Sequence, residues 1–263
     1  VLEIRDVSKT FFPNTVNERK ALRGIDLHLD EGDFVTVIGS NGAGKSTVLN
    51  TIAGKLTPDT GSVSVAGKDV TKMADHRRAQ WIGRVFQDPT AGTAPNLTIQ
   101  ENMALAFRRG HVRGLAAGVS KSRKDLFREA LTTLELGLEN RLTTKVGLLS
   151  GGQRQALSLL MATFSGPKIL LLDEHTAALD PSRAELVTRL TEQVVAEHRL
   201  TTLMVTHNMD QALQVGNRLI MMHDGEIILE LDEQEKAGKT AQDLLAEFGK
   251  IKGAVVDDKT MLQ

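Results

Sequence analysis

The sequence predicts an α/β fold with a parallel sheet at its centre and an all-helical insertion. Three observations predict it. Short apolar runs, Phe34-Val35-Thr36-Val37-Ile38, Ile169-Leu170-Leu171-Leu172 and Leu203-Met204-Val205, read as strands buried on both faces. Apolar residues at helical spacing follow the first run at Val48, Leu49 and Ile52, and follow the second at Leu186, Leu190 and Val194. From Thr90 to Leu138 the pattern is helical, through Ile99 to Phe107 and then Leu126, Leu131 and Leu134, with no strong strand.

In chain order, residues 2–7 alternate apolar and charged residues and read as a half-exposed strand. Lys9-Thr10-Phe11-Phe12-Pro13-Asn14 reads as a turn carrying two of the eight phenylalanines. That aromatic pair is either a surface for stacking a base or an apolar plug at a sheet edge. Ile25 to Leu29 alternates again, and Asp30-Glu31-Gly32-Asp33 turns into the next strand. Thr57 to Gly61 is a turn, Ser62 to Gly67 a short strand, and Ile82 to Phe86 a buried strand ending in Gln87-Asp88-Pro89. The insertion holds a basic stretch, Arg108, Arg109, Arg113, Lys121, Arg123, Lys124 and Arg128. It suits a solvated face or a surface near anionic lipid. Asp180-Pro181 opens a helix, and Asp224-Gly225 is a hairpin turn. Thr240-Ala241-Gln242-Asp243 caps a last helix with Leu244, Leu245 and Phe248, and a loose tail is expected past Lys252.

The chain has 263 residues, 25% of them charged and 41% hydrophobic, with a net charge of −1 and no cysteine. Bulk attraction to nucleic acid, disulfides and cysteine zinc sites are thereby excluded. No apolar run approaches the ~18 residues of a membrane span. The opening Val1-Leu2-Glu3-Ile4-Arg5 is not a signal peptide.

Between the first apolar run and its helix lies Gly39-Ser40-Asn41-Gly42-Ala43-Gly44-Lys45-Ser46-Thr47, which meets the pattern G-x-x-x-x-G-K-[ST]. Glycines let successive N–H groups point into one concavity, and the helix start adds unpaired N–H groups and a positive dipole end. Lys45 is placed to reach the β- and γ-phosphates of a nucleotide, Ser46 to hold Mg²⁺, and Thr47 to touch the α-phosphate. Asp173 and Glu174 end the central apolar run, where ligands bind in open α/β sheets. His207 ends the run after it.

Leu149-Ser150-Gly151-Gly152-Gln153 opens a second anion-binding helix start. Two copies facing head to tail would use both phosphate sites. With this segment unaltered and the motifs in order, the chain resembles the ATPase cassette of ABC transporters over roughly residues 2–231. The resemblance implies a P-loop NTPase fold: a RecA-like parallel-sheet core with an N-terminal antiparallel β subdomain and an inserted α-helical subdomain. It implies an ATPase domain over 1–232, with the helical part at about 90–162, and a C-terminal helix and tail over 233–263. It implies roles for residues as well. Phe11 stacks on adenine, with Phe12 as the other choice. Gln87 senses Mg²⁺ and the attacking water. Asp173 holds Mg²⁺, Glu174 is the general base, and His207 contacts the γ-phosphate. Asp180 crosses a dimer interface, although capping its own helix explains it equally well.

Where the family commonly has proline after the glutamate, this chain has His175. The backbone there loses a restraint on φ, and an ionisable ring is expected beside the base. The run Asp173-Glu174-His175-Thr176-Ala177-Ala178-Leu179-Asp180 resembles a branch of bacterial import ATPases, sometimes tied to aromatic amino acids. Such ATPases work peripherally on the cytoplasmic face of the inner membrane, with a separate permease and an extracytoplasmic binding protein. Asn96 to Asn102 resembles the importer segment where a permease docks. The alternative is an ABC ATPase serving a non-membrane assembly such as iron–sulfur cluster biogenesis.

Overall fold

The computed structural model describes residues 1–109 and 118–252. It divides into two units, residues 1–78 with the segment from 199 onward, and residues 79–198.

The first unit holds an antiparallel sheet in the order β2-β1-β4-β5, made of β1 (Leu2–Phe11), β2 (Arg19–Leu29), β4 (Thr60–Val65) and β5 (Lys68–Asp69). Both β1 and β2 are longer than the sequence predicts. Lys9, Thr10 and Phe11 lie in β1, opposite Leu22, Lys20 and Arg19, and are not a turn. The register shifts three times between Ile4 and Thr10. Each shift breaks the period-two alternation by which a strand is read from sequence. Phe12 follows at φ 51° and is 67% exposed, so it plugs no sheet edge.

The same unit carries β3 (Phe34–Gly39), paired in parallel with β8 (Thr201–Val205) on one side and β9 (Arg218–His223) on the other. β10 (Glu226–Leu231) returns antiparallel along β9 through the Asp224-Gly225 turn. Residues 34–38 are all buried, as a near-continuous apolar run requires. The one polar residue among them, Thr36, donates its hydroxyl proton to the Ala212 carbonyl at 2.9 Å, so its burial costs little. Helix α1 (Lys45–Ala53) starts where expected and buries Val48, Leu49 and Ile52. The short helices α7 (Met209–Gln214) and α8 (Glu233–Lys236) precede the terminal helix α9 (Ala241–Lys252), which joins this core: Leu244 and Phe248 pack with Ile38, Met209, Leu219 and Met221.

The second unit holds the parallel pair β6 (Ile82–Val85) and β7 (Ile169–Asp173), with helices α3 (Ile99–Phe107), α4 (Lys121–Thr132), α5 (Gly151–Thr163) and α6 (Pro181–His198). Phe107, Phe127 and Phe164 meet pairwise with ring centroids 5.9–6.4 Å apart. The Phe127 ring meets the other two edge-on, a geometry that adds to what area burial supplies. Of the basic stretch, Arg128 pairs with Asp125 and Arg123 donates to the Gly118 carbonyl. Arg113 and the tail past Lys252 lie outside the described residues.

Arg78, on the short helix α2 (Asp75–Arg78), is fully buried, and backbone carbonyls take its guanidinium. Its guanidinium donates to the carbonyls of Thr51 and Ile52 at 2.8 Å, Met73 at 2.8 Å and Thr71 at 3.0 Å. The first two belong to the last turn of α1, where the Thr51 carbonyl also accepts from the Gly54 N–H at 3.2 Å and the dipole favours a cation. Replacing Arg78 with Met removes a donor from each of these four carbonyls. It should lower folding stability by about 3 kcal/mol, read from denaturant midpoints. A loss below about 0.5 kcal/mol would show that the cap is dispensable.

Candidate functional site

The P-loop is shaped by what cannot fit there. A β-carbon on Gly39 (φ 151°) would lie 2.1 Å from the Met222 carbonyl oxygen, and one on Gly44 (φ 104°) 2.6 Å from that of Ala21. Both positions therefore require glycine. Gly42 is also left-handed, and its carbonyl accepts from Arg19 Nη2 at 2.8 Å. Within the loop the Ala43 N–H donates to Ser40, and the Gly225 N–H donates to Ala43. Gly44 caps α1 without a side-chain bond. Lys45 is 6% exposed and folds back over the loop, its Nζ donating to the carbonyls of Gly39 at 2.6 Å and Ser40 at 3.2 Å. The ammonium is thus held by the same backbone that forms the anion nest. Asn41 and Ser46 are exposed, and Thr47 is half-buried. In the same unit, Phe11 ends β1 half-buried, and His207 lies two residues past β8, also half-buried.

The second unit carries the remaining sequence-predicted residues. Ser150 caps α5 in a reciprocal box: its Oγ accepts from the Gln153 N–H at 3.3 Å, and Gln153 Oε1 accepts from the Ser150 N–H at 3.2 Å. A β-carbon on Gly152 would come within 3.2 Å of Arg183, and one on Gly151 would meet Leu179 at 3.4 Å. Asp180 caps α6 through the Arg183 N–H and pairs with the Arg183 guanidinium at 3.2 Å. Gln87 is exposed just past β6. The strand end before it is held by Gln155, whose Nε2 donates to the Phe86 carbonyl at 3.1 Å.

Asp173 ends β7 and accepts from Arg84 Nη2 at 2.9 Å, while the Arg84 guanidinium lies 4.7 Å from the Phe86 ring centroid. The sequence reading passed over Arg84. An arginine inside a buried strand, beside another ending in acids, was the available signal. Glu174 sits at φ 45°, a left-handed conformation uncommon for a residue with a side chain, and its carbonyl closes a turn with the Ala177 N–H.

His175 departs from expectation. Its ring is 2% exposed and is bonded into the unit, with Nε2 3.0 Å from Thr191 Oγ1 on α6. Thr191 spends its own proton on the Val187 carbonyl at 2.8 Å, so its oxygen accepts from the His175 Nε2–H. Burial pushes the imidazole pKa down to about 4, so the ring is neutral at neutral pH.

Because the folded pKa lies below the ordinary 6.5, the unfolded chain binds more protons between pH 6.5 and about 4, and stability rises with pH across that window. His175 alone should cost roughly 2–3 kcal/mol of stability on going from pH 7 to about 4.5. Denaturant melts of the parent and of His175→Gln at both pH values should show that difference in slope. Equal slopes would place the ring in water.

A family model for ABC transporters matches residues 22–177. The chain is 43% identical to the tyrosine transport ATP-binding protein of Clostridioides difficile over 94% of its own length and 98% of that protein's. It is 35% identical to the spermidine/putrescine import ATP-binding protein of Spiroplasma citri over 86% of its length, spanning 60% of that protein. Its fold matches a dimeric ATP-binding cassette solved in a post-hydrolysis state with ADP and Pi, with a TM-score of 0.75 at 32% identity, covering 89% of this chain and 99% of that one. An N-terminal antiparallel sheet, a glycine-forced phosphate loop and a serine-capped Ser-Gly-Gly-Gln helix thus occur together in a chain that belongs to the ABC transporter family and is its ATP-binding, ATP-hydrolysing cassette.

Proposed function

We propose that the chain powers solute import, with an amino acid as the solute, as one of two copies that bind ATP between them on the cytoplasmic face of the inner membrane. A separate permease and an extracytoplasmic binding protein complete the machine. The observation that carries this reading is the likeness, along almost the whole of both chains, to a tyrosine transport subunit. No helix among the described residues is long and apolar enough to cross a membrane. Service to a soluble assembly is not favoured by these relatives, which are named for transport.

The proposed chemistry is in-line attack of water on the γ-phosphorus. The bond to the ADP oxygen breaks, and the water proton passes to the Glu174 carboxylate. Such catalysis is mostly positioning and charge stabilisation. Lys45 and the N–H groups of residues 39–47 take the phosphates, with Phe11 or Phe12 against the adenine. His207 faces the γ-phosphate. Ser150, Gly151, Gly152 and Gln153 of the second copy close over it, and Asp180 lies at that interface.

Ser46, Gln87 and Asp173 would hold Mg²⁺. This donor set fits a hard cation that keeps waters and phosphate oxygens as its other ligands. No cluster of three or more His, Cys, Asp or Glu among the described residues forms a dedicated cage. Bound there, the ion would neutralise phosphate charge.

Two measurements test the reading. Glu174→Gln should keep ATP affinity, lose at least about a hundredfold in hydrolysis and accumulate as an ATP-bound dimer. Turnover near the parental rate would make another group the base. Affinity purification of this chain from detergent-solubilised membranes should recover integral membrane proteins. Recovery of soluble partners alone would favour the non-membrane assembly.

A further inference from the structure

Ser40, the second residue of the P-loop, is held from outside the loop: its Oγ lies 3.2 Å from Nδ1 of His223, the last residue of β9. The parallel register, Gly39 opposite Met222, brings the two together. The His223 ring meets Phe248 of α9 edge-on, with centroids 4.9 Å apart and an interplanar angle of 86°. Phe248 is itself buried with Leu244 against Ile38, the residue before Gly39. On the far side of the ring, Asp224 Oδ2 stands 3.6 Å from Nε2, which favours the proton on that nitrogen and leaves Nδ1 to accept from the Ser40 hydroxyl.

We infer that His223 is a positioning residue for nucleotide binding, and that α9 acts on the P-loop through it. The hydrogen bond fixes Ser40 before nucleotide arrives, so less ordering remains to be done on binding. Phe248 fixes the ring that makes the bond. Nucleotide binding and docking of α9 must then favour each other by the same factor, since coupling between two sites is reciprocal. The inference rests on the P-loop as the nucleotide site and does not depend on the proposed transport role.

ADP affinity by calorimetry tests it, at a temperature where each variant is shown to be folded. His223→Phe keeps a ring against Phe248 and removes the acceptor, and should weaken ADP about fivefold, the worth of one hydrogen bond. Phe248→Ala should weaken ADP by a similar factor in the parent and by nothing further in the His223→Phe background, because both changes act through one bond. Where Phe248→Ala fails to fold, Phe248→Leu takes its place in the cycle. Amide exchange adds a second readout: ADP should raise protection of residues 241–249 in the parent and leave it unchanged in His223→Phe. A His223→Phe protein that binds ADP as the parent does, or losses that simply add in the double variant, would overturn the inference. Lys45→Ala binding ADP as tightly as the parent would instead overturn the P-loop assignment itself.

Discussion

Two missing β-carbons hold the site together. Any side chain at Gly39 would collide with the carbonyl of Met222 on β9, and any at Gly44 with that of Ala21 on β2. The P-loop backbone is therefore pressed directly onto its neighbours, with the Gly225 N–H bonded to Ala43 from the β9–β10 turn. Only backbone in these left-handed conformations can turn its N–H groups into one concavity. Lys45, a cation that would be costly to bury alone, is solvated by the loop's own carbonyls. Charge, concavity and helix start thus come from one short stretch, and strands on both sides exist to support it.

The second unit uses different means to the same end. Its serine-capped helix closes its first turn with its own side chains, and its small residues lie under Arg183 and Leu179. Its acidic strand end is not left bare: Arg84 neutralises Asp173, and Phe86 covers the guanidinium. A cation brought to Asp173 therefore meets a carboxylate already engaged. The left-handed Glu174 is followed at once by the buried His175, which pins the chain to α6. Strain at one residue persists because packing at the next over-determines it.

Much of this was legible in the sequence, for identifiable reasons. Buried parallel strands such as β3 and β7 read as near-continuous apolar runs, and the phosphate loop read through Gly39 and Gly44, where sterics permits nothing else. The end of β1 was not legible, because three register shifts erase its alternation. His175 looked like a group beside the base, since its partner Thr191 lies sixteen positions away on another element. Arg84 and His223 escaped for the same reason. Their roles arise only from strand register, β6 against β7 in one case and β3 against β9 in the other. The capping role of Asp180, by contrast, follows from its own next three residues and was one of the two roles legible for it in the sequence.

The central proposal is that a complete reaction chamber needs residues from two copies, the phosphate loop of one and the Ser150 helix of the other. Hydrolysis per chain, measured against protein concentration alongside mass by light scattering, tests this most directly. The account predicts a rate per chain that climbs as dimer forms and falls toward zero when dilution leaves monomers that still bind ATP. A constant, full rate in the demonstrably monomeric chain would contradict it.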